Sequence, residues 1–475
     1  MSDLRTLLPE VLLLGGAVGC LLLGSWTPRH RQERVVLLAG LVVIAAGAVS
    51  AHALGGAATT AYSGTVTVDG LTGILRLSVL GSLLVVLMLV RHELADSPRE
   101  SEVVVLLLLG GLGVLVLGAS TDLAVLTVAF LLASIPLYGL IGLSPGAAAP
   151  EAVMKTYLLG ALAGIWLMLG AAVLTGLTGT TAYSDLDGVR EAPLAAAVGG
   201  VVLVVLGLLF KAGSVPMHFW VPDAVEGAST TAAAFLTTVP KLGAVVAAAR
   251  LLEALPAQER WALLVAGLAA AGMVVGNLVA LTQGDVRRLL GWSAVGQVGF
   301  LLAVVAAVPS VGEAAAVLGM FVAGYAAANL TCFAALAAEP DRRTIADWRG
   351  TGHARPGLVG ALGVGLLALV GTPPTGVFVA KLLTFEVIIE AGLTWLAVLV
   401  ALSTLIGLAY YLRWLAACLT APDESGTQDH EPAEGAGIPD VGGSGRRMAV
   451  GVAGGCAAVA VLLGLAARTV LGTIG

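Results

Sequence analysis

The stretch Leu208–Thr230, "LLFKAGSVPMHFWVPDAVEGAST", sets Lys211, a glycine, a proline, His218 and the carboxylates Asp223 and Glu226 inside one of the most apolar regions of the chain. What it means depends on the medium. Of the 475 residues 58% are apolar and only 11% charged, and the mean hydropathy is +0.98, far outside soluble globular usage. The chain is a polytopic membrane protein. About 20 apolar residues span a bilayer as a helix, which gives about fourteen candidate spans, the first centred near Leu14 and the last near Ala458. Nothing shows the alternating pattern of a membrane barrel, so the fold class is an all-α membrane protein.

The net charge of −6 says little about partners, because orientation follows the placement of Lys and Arg in short loops. Odd-numbered loops carry Arg29, Arg31, Arg34, Arg91, Arg99, Arg287, Arg288, Arg342, Arg343, Arg349, Arg355, Arg446 and Arg447, against Arg5, Arg190, Arg250, Arg260 and Arg468 on the other side. This asymmetry places both termini outside and the loop "EPDRRTIADWRGTGHARP", residues 339–356, in the cytoplasm. The first apolar run lacks a small-residue cleavage site and reads as a retained helix. Residues 421–447 are polar, acidic and rich in Gly and Pro, and read as a flexible cytoplasmic loop before the last span. Cys20, Cys332, Cys418 and Cys456 lie in or beside apolar runs with no CxxC spacing and no clustered histidine, which argues against disulfides, zinc and iron–sulfur ligation.

Lysine usage is the sharpest signal. There are four, Lys155, Lys211, Lys241 and Lys381, all within apolar segments, against twenty arginines. An ammonium at the centre of a bilayer costs at least about 2.5–3.5 kcal/mol on insertion scales. Arginine stays protonated, whereas a buried lysine can exchange its proton, so lysines reserved for the membrane interior point to proton carriers. Snorkelling to the surface is the competing explanation, strongest for Lys155, which lies near Glu151 at a helix start. Lys211 is followed by "AGSVP" and Lys381 is preceded by "GTPPTGVFVA", so Pro216, Gly371, Pro373 and Pro374 mark breaks in two spans. Paired broken helices in two halves of a chain are the sequence pointer to inverted-repeat transport folds with ion sites at the midplane. Broken backbone at that depth survives only where protein or a wet cavity covers it.

These residues carry a family resemblance. "FKAGSVPMHFWVPDAVEGASTTAAAFLTTVPK" resembles the core signature of the antiporter-like membrane subunits of respiratory complex I, and "GNLVALTQGDVRRLLGWSAVGQVGF" and "GTPPTGVFVAKLLTF" resemble two further blocks of that family in the same order. The similarity runs from about Val68 to Arg413, and "VPDAVEGAS" and "EAVMKTYLLGA" are most similar to the branch called subunit N of NADH-quinone oxidoreductase. The resemblance implies two inverted five-helix repeats, each with a broken helix. The chain then divides into N-terminal helices 1–3 (1–100), a first repeat (101–255), a second repeat (256–420), the loop (421–447) and a last helix (448–475).

Carried over by position, the resemblance makes Lys211 the central proton-accepting lysine, Lys241 the connecting lysine, Lys381 the exit-side carrier and Lys155 a lysine typical of the branch. His218 matches the histidine after the first break and stands equally as a relay or as a structural, satisfied histidine. Asp223 and Glu226 are expected to cap and orient the start of the eighth span. One position departs from the pattern. In the fifth span, "FLLASIPLYGL" has Leu131 where the family carries a glutamate that pairs with the seventh-span lysine. Glu151 and Lys155, spaced i,i+4, offer a different pair.

What the resemblance implies is a proton-translocating membrane-arm subunit of a bacterial plasma-membrane NADH-quinone oxidoreductase. It would bind no cofactor itself, with NADH, FMN, iron–sulfur clusters and quinone in the rest of the complex. Its partners would be other membrane-arm subunits, the lipid bilayer and protons, with no nucleic acid. A multisubunit sodium/proton antiporter, a hydrogenase-linked pump and, because of Leu131, a degenerate scaffold subunit are the alternatives.

Overall fold

The computed structural model describes residues 2–93, 99–256, 261–421 and 443–474. Most of the expected loop 421–447 therefore lies outside the described residues. Thirteen helices are long and apolar enough to cross a membrane, and a further apolar segment is split into two shorter helices by residues 371–375.

In chain order the helices are α1 (Ser2–Thr6), α2 (Leu8–Trp26) and α3 (Glu33–Ala53), then a hairpin of β1 (Thr59–Ala61) and β2 (Val66–Val68). There follow α4 (Gly70–Glu93), α5 (Glu100–Ala119), α6 (Leu123–Gly142), α7 (Ala149–Thr178), α8 (Leu194–Ala212), α9 (Trp220–Gly227) and α10 (Thr230–Ala254). The rest comprises α11 (Trp261–Thr282), α12 (Val286–Ala307), α13 (Ala314–Ala338), α14 (Thr351–Ala354), α15 (Pro356–Val370), α16 (Gly376–Glu390), α17 (Thr394–Leu419), α18 (Gly443–Leu465) and α19 (Ala467–Gly472). The hairpin, antiparallel with Thr59 opposite Val68, is the one β element among the described residues, and the sequence reading contains no strand there.

Burial sorts the helices into a centre and a rim. The spans of α10, α12 and α13 are almost wholly buried, whereas those of α3 and α18 are mostly exposed. In lipid there is little hydrophobic gain from bringing helices together, so the centre forms where small side chains allow close van der Waals packing. At Gly299 of α12 a Cβ would stand 2.5 Å from the backbone nitrogen of Met273 on α11, so glycine there sets the distance between the two helices.

Two local arrangements recur along the chain. Asp122 caps α6 by accepting from the Ala124 and Val125 amides at 2.8 and 3.0 Å, and Asp285 caps α12 by accepting from the Arg287 and Arg288 amides at 2.8 and 2.9 Å. Each aspartate also forms an isolated antiparallel bridge, Asp122 with Ala182 and Asp285 with Thr344. The second recurrence is the helix break, at Gly213 after α8 and at Gly371 after α15.

Buried ion pairs hold the N-terminal helices to this body. Arg76 of α4 grips Glu10 of α2 through two bonds of 2.8 and 2.9 Å, a bidentate geometry that offsets the desolvation of both groups. Arg250 of α10 donates to Asp69, just before α4, to Thr72 and to the Gly118 carbonyl. Burial pushes the Asp69 carboxyl up, but the adjacent Arg250 guanidinium and the bonds from Arg250 and Thr72 outweigh it and hold the group below its ordinary range.

The start of α10 corrects one expectation. Its amides are capped by Ser229, whose hydroxyl accepts from Ala232, and by Glu93, whose carboxylate accepts from Thr230 and Thr231 at 3.0 and 2.9 Å. Asp223 and Glu226 do not cap it. Both lie on α9, where they face cations on neighbouring helices instead.

Candidate functional site

The broken seventh span is built at Gly213, which takes the left-handed conformation (φ 70°) that a side chain resists. It ends α8 and leaves the last carbonyls of that helix, the negative end of its dipole, buried in the protein. Lys241, from α10, answers them. Its Nζ donates to the Ala212 carbonyl at 2.8 Å, and a Cβ on Gly213 would stand 2.6 Å from that Nζ. Glycine is thus required twice, for the turn and for the approach of the ammonium. Trp220, opening α9, donates its indole N–H back to Phe210 at 3.0 Å. Pro216 and His218 lie in the non-helical link.

Lys211 sits in the last turn of α8 and is wholly buried. Its Nζ donates to Ser134 Oγ of α6 at 2.5 Å and lies 4.8 Å from the centroid of the Phe130 ring. Leu131 is 38% exposed and lies beside Gly164 of α7, turned out of the pocket that holds Lys211. The residue at the expected glutamate position therefore does not meet the lysine, and Ser134, three residues on, does.

The twelfth span repeats the device. Gly371 (φ 91°) ends α15, Pro373 and Pro374 fill the link, and Lys381 of α16 turns back on the exposed carbonyls. Its Nζ donates to Val370 at 2.9 Å and Leu369 at 3.2 Å, over the Phe300 ring at 4.0 Å. Gln297 of α12 donates to the same Leu369 carbonyl at 2.9 Å. No carboxylate pairs with Lys211, Lys241 or Lys381 among the described residues; carbonyls, one hydroxyl and aromatic faces surround them.

Uncharged polar residues fill the region between the breaks. Asn329 of α13 donates to Thr237 and Thr238 of α10 at 2.9 and 2.8 Å, and Tyr325 donates to the Thr237 carbonyl at 2.6 Å. Ser214 Oγ, His218 Nδ1, Gln297 Oε1 and Asn329 Oδ1 are buried without a hydrogen-bond partner among the described residues, the kind of group that ordered water satisfies. His218 packs against Trp292, with ring centroids 5.4 Å apart, and its Nδ1 has no partner among the described residues. Ser134, Thr237, Thr238, Gln297, Tyr325 and Asn329 are absent from the sequence-level site. Their signal was a polar residue inside an apolar run, as in "FLLASIP" and "AAANLT".

Lys155 stands apart. Its side chain is 46% exposed, and it pairs with Glu151 at 2.6 Å and Asp223 at 2.9 Å. Asp223 also meets Arg288 at 3.3 Å, and Arg288 meets Glu226 at 2.5 Å. These pairs strap the short helix α9 to α7 and α12.

Residues 120–407 match the family described as NADH:quinone oxidoreductase/Mrp antiporter, transmembrane. A Mycobacterium protein named NADH-quinone oxidoreductase subunit N is 45% identical over 421 residues, covering 88% of this chain and 90% of its own. A Streptomyces griseus protein named NADH-quinone oxidoreductase subunit N 1 is 43% identical over 477 residues, covering 100% of this chain and 98% of its own. Among solved structures, a chain of respiratory complex I from Thermus thermophilus superposes with a TM-score of 0.82 at 28% identity, over 98% of this chain and 100% of that one. A chain of the Mrp complex from Dietzia superposes with a TM-score of 0.85 at 20% identity, over 99% of this chain and 96% of that one, a likeness of fold alone.

Proposed function

Since the chain belongs to the NADH:quinone oxidoreductase and Mrp antiporter membrane family, we infer that it is the proton-translocating membrane-arm subunit of an NADH-quinone oxidoreductase and that Lys211, Lys241 and Lys381 carry the protons. The observation that carries the lysine assignment is their shared setting: three ammonium groups, each buried and without a counter-carboxylate, two of them on the carbonyl ends of broken helices. A lysine so placed can exchange its proton, which an arginine cannot. Movement of either half-helix changes the dipole that each lysine feels, and so links a conformational change driven elsewhere in the complex to proton uptake and release. Water at the unpaired atoms of Ser214, His218, Gln297 and Asn329 would complete the path between the two breaks.

On this reading, NADH, FMN, iron–sulfur clusters and quinone belong to other subunits, and this chain contributes to oxidoreduction through its proton path. The recurring aspartate caps and glycine breaks support a division into repeats at 101–255 and 256–420. The arginine asymmetry supports both termini outside, and the bacterial relatives support a plasma-membrane location. The test is Lys241→Ala in the assembled complex, measured as NADH-driven proton pumping in inverted membrane vesicles. Pumping is expected to fall while the complex still assembles. Loss of assembly without a specific pumping defect would make Lys241 structural, and sodium-dependent proton exchange would make the chain an antiporter.

A further inference from the structure

Away from the lysines, an apolar groove of about 770 Å³ runs between α4, α13 and α18. Ser78 and Met88 of α4, Ala327 of α13 and Val459 of α18 line it. Glycines on two of the facing walls hold it open: a Cβ added at Gly81, Gly451 or Gly455 meets no neighbouring atom within 4 Å. Along α18 the lining runs from Met448 to Leu463, about 22 Å at 1.5 Å per residue. That is longer than one leaflet's half of a hydrocarbon core about 30 Å thick.

Where α18 begins, arginines gather around a single buried carboxylate. Glu339, at the end of α13 and only 5% exposed, draws three guanidiniums: Arg342 at 3.3 Å, Arg446 at 3.8 Å, and Arg355 from the start of α15. Arg446 also donates to the Ala338 carbonyl at 3.1 Å. These three guanidiniums and one carboxylate, all among the described residues, carry a net charge of +2. All three arginine side chains are about a third exposed, at 32, 33 and 36%. Arg446 precedes the groove-lining Met448 by two residues of the same helix, so the cluster and one end of the groove lie at the same level of the membrane boundary.

We propose that the chain binds an anionic phospholipid here, its phosphate on Arg342, Arg355 and Arg446 and one acyl chain in the α4–α13–α18 groove. Basic pockets between membrane helices at the headgroup level are suited to anionic lipid heads. The groove is elongated, lined mostly by apolar side chains and continuous with the arginine cluster at one end, which suits an acyl chain hanging from an anionic headgroup.

The test uses the purified complex in nanodiscs of phosphatidylcholine doped with phosphatidylglycerol, with bound lipid counted by native mass spectrometry. The wild type is expected to retain phosphatidylglycerol over phosphatidylcholine, and Arg355→Gln combined with Arg446→Gln to lower that retention on the order of tenfold. Gly455→Leu, which fills the groove and leaves every arginine in place, is expected to lower it as well, and carries the test if the arginine variant does not assemble. Retention that neither substitution changes overturns the proposal. So does displacement by inorganic phosphate with no effect of Gly455→Leu, which would mean a free-anion site. Loss of a neighbouring subunit from the Gly455→Leu complex would also overturn it, because the groove would then be a protein interface.

Discussion

Lys211 Nζ donates to Ser134 Oγ at 2.5 Å, so the α6 side chain that meets this lysine is a neutral hydroxyl and not a residue at position 131, where the family resemblance expects a glutamate. Residues 131 and 134, three apart on α6, are neighbours about 60° apart around the helix; Ser134 is buried beside Lys211, whereas Leu131, nearer the edge of that face, is 38% exposed. The Ser134 hydroxyl donates to the Phe130 carbonyl at 2.6 Å and is left to accept from the lysine, whose N–H groups donate as ammonium or as neutral amine. A carboxylate would favour the ammonium alone.

Removal of that hydroxyl should therefore be felt in pumping. Ser134→Ala is expected to assemble and to lower NADH-driven pumping, since a hydrogen bond to a charged group is worth about 1.5–3 kcal/mol. Leu131→Glu, by contrast, should not rescue or strengthen pumping, and its effect should be the same with Lys211 or with Lys211→Ala. A different outcome in the two backgrounds would show that position 131 does reach the lysine.

Lys241→Arg and Lys381→Arg separate charge from proton exchange. Arginine can still donate to the Ala212 or Val370 carbonyl but does not give up its proton. Both variants are expected to yield an assembled complex, visible on native gels, with NADH oxidation uncoupled from or stalled by the lost proton step. Normal pumping in either variant would remove that lysine from the path.

Lys155 is expected to behave differently from the buried three. Its pairs with Glu151 and Asp223 are solvent-exposed, and such pairs are worth about 0–1 kcal/mol and weaken with salt. Lys155→Ala should keep most of the pumping and lose little stability. A pumping defect as deep as that of Lys211→Ala would place Lys155 among the carriers.

The Asp69–Arg250 contact should show in the pH dependence of stability. The Asp69 carboxyl is held below its ordinary value, near 3.9. Its contribution is therefore fully present above that value and is lost as the pH falls through the folded-state value. The gap in thermal stability between wild type and Asp69→Asn should be widest near pH 7 and should shrink in acid. A gap of equal size at both would mean that the carboxylate's charge contributes nothing.

The membrane setting, the number of spans and the two breaks were legible in the sequence because each depends on local physics. Apolar run length sets the spans, and Gly213 with Pro216, and Gly371 with Pro373 and Pro374, interrupt a helix through their own backbone preferences. The four lysines also stood out, because lysine is costly to place inside a membrane span. The partners of those lysines did not. Spans such as α6 are apolar on every side, so no periodicity says which side of α6 faces the protein; its packing against α5 and α7 decides it. The chain likewise brings Lys155 to Asp223 across 68 residues and Arg288 to Glu226 across 62. Charges that read as helix caps thus become straps only once α7, α9 and α12 stand side by side.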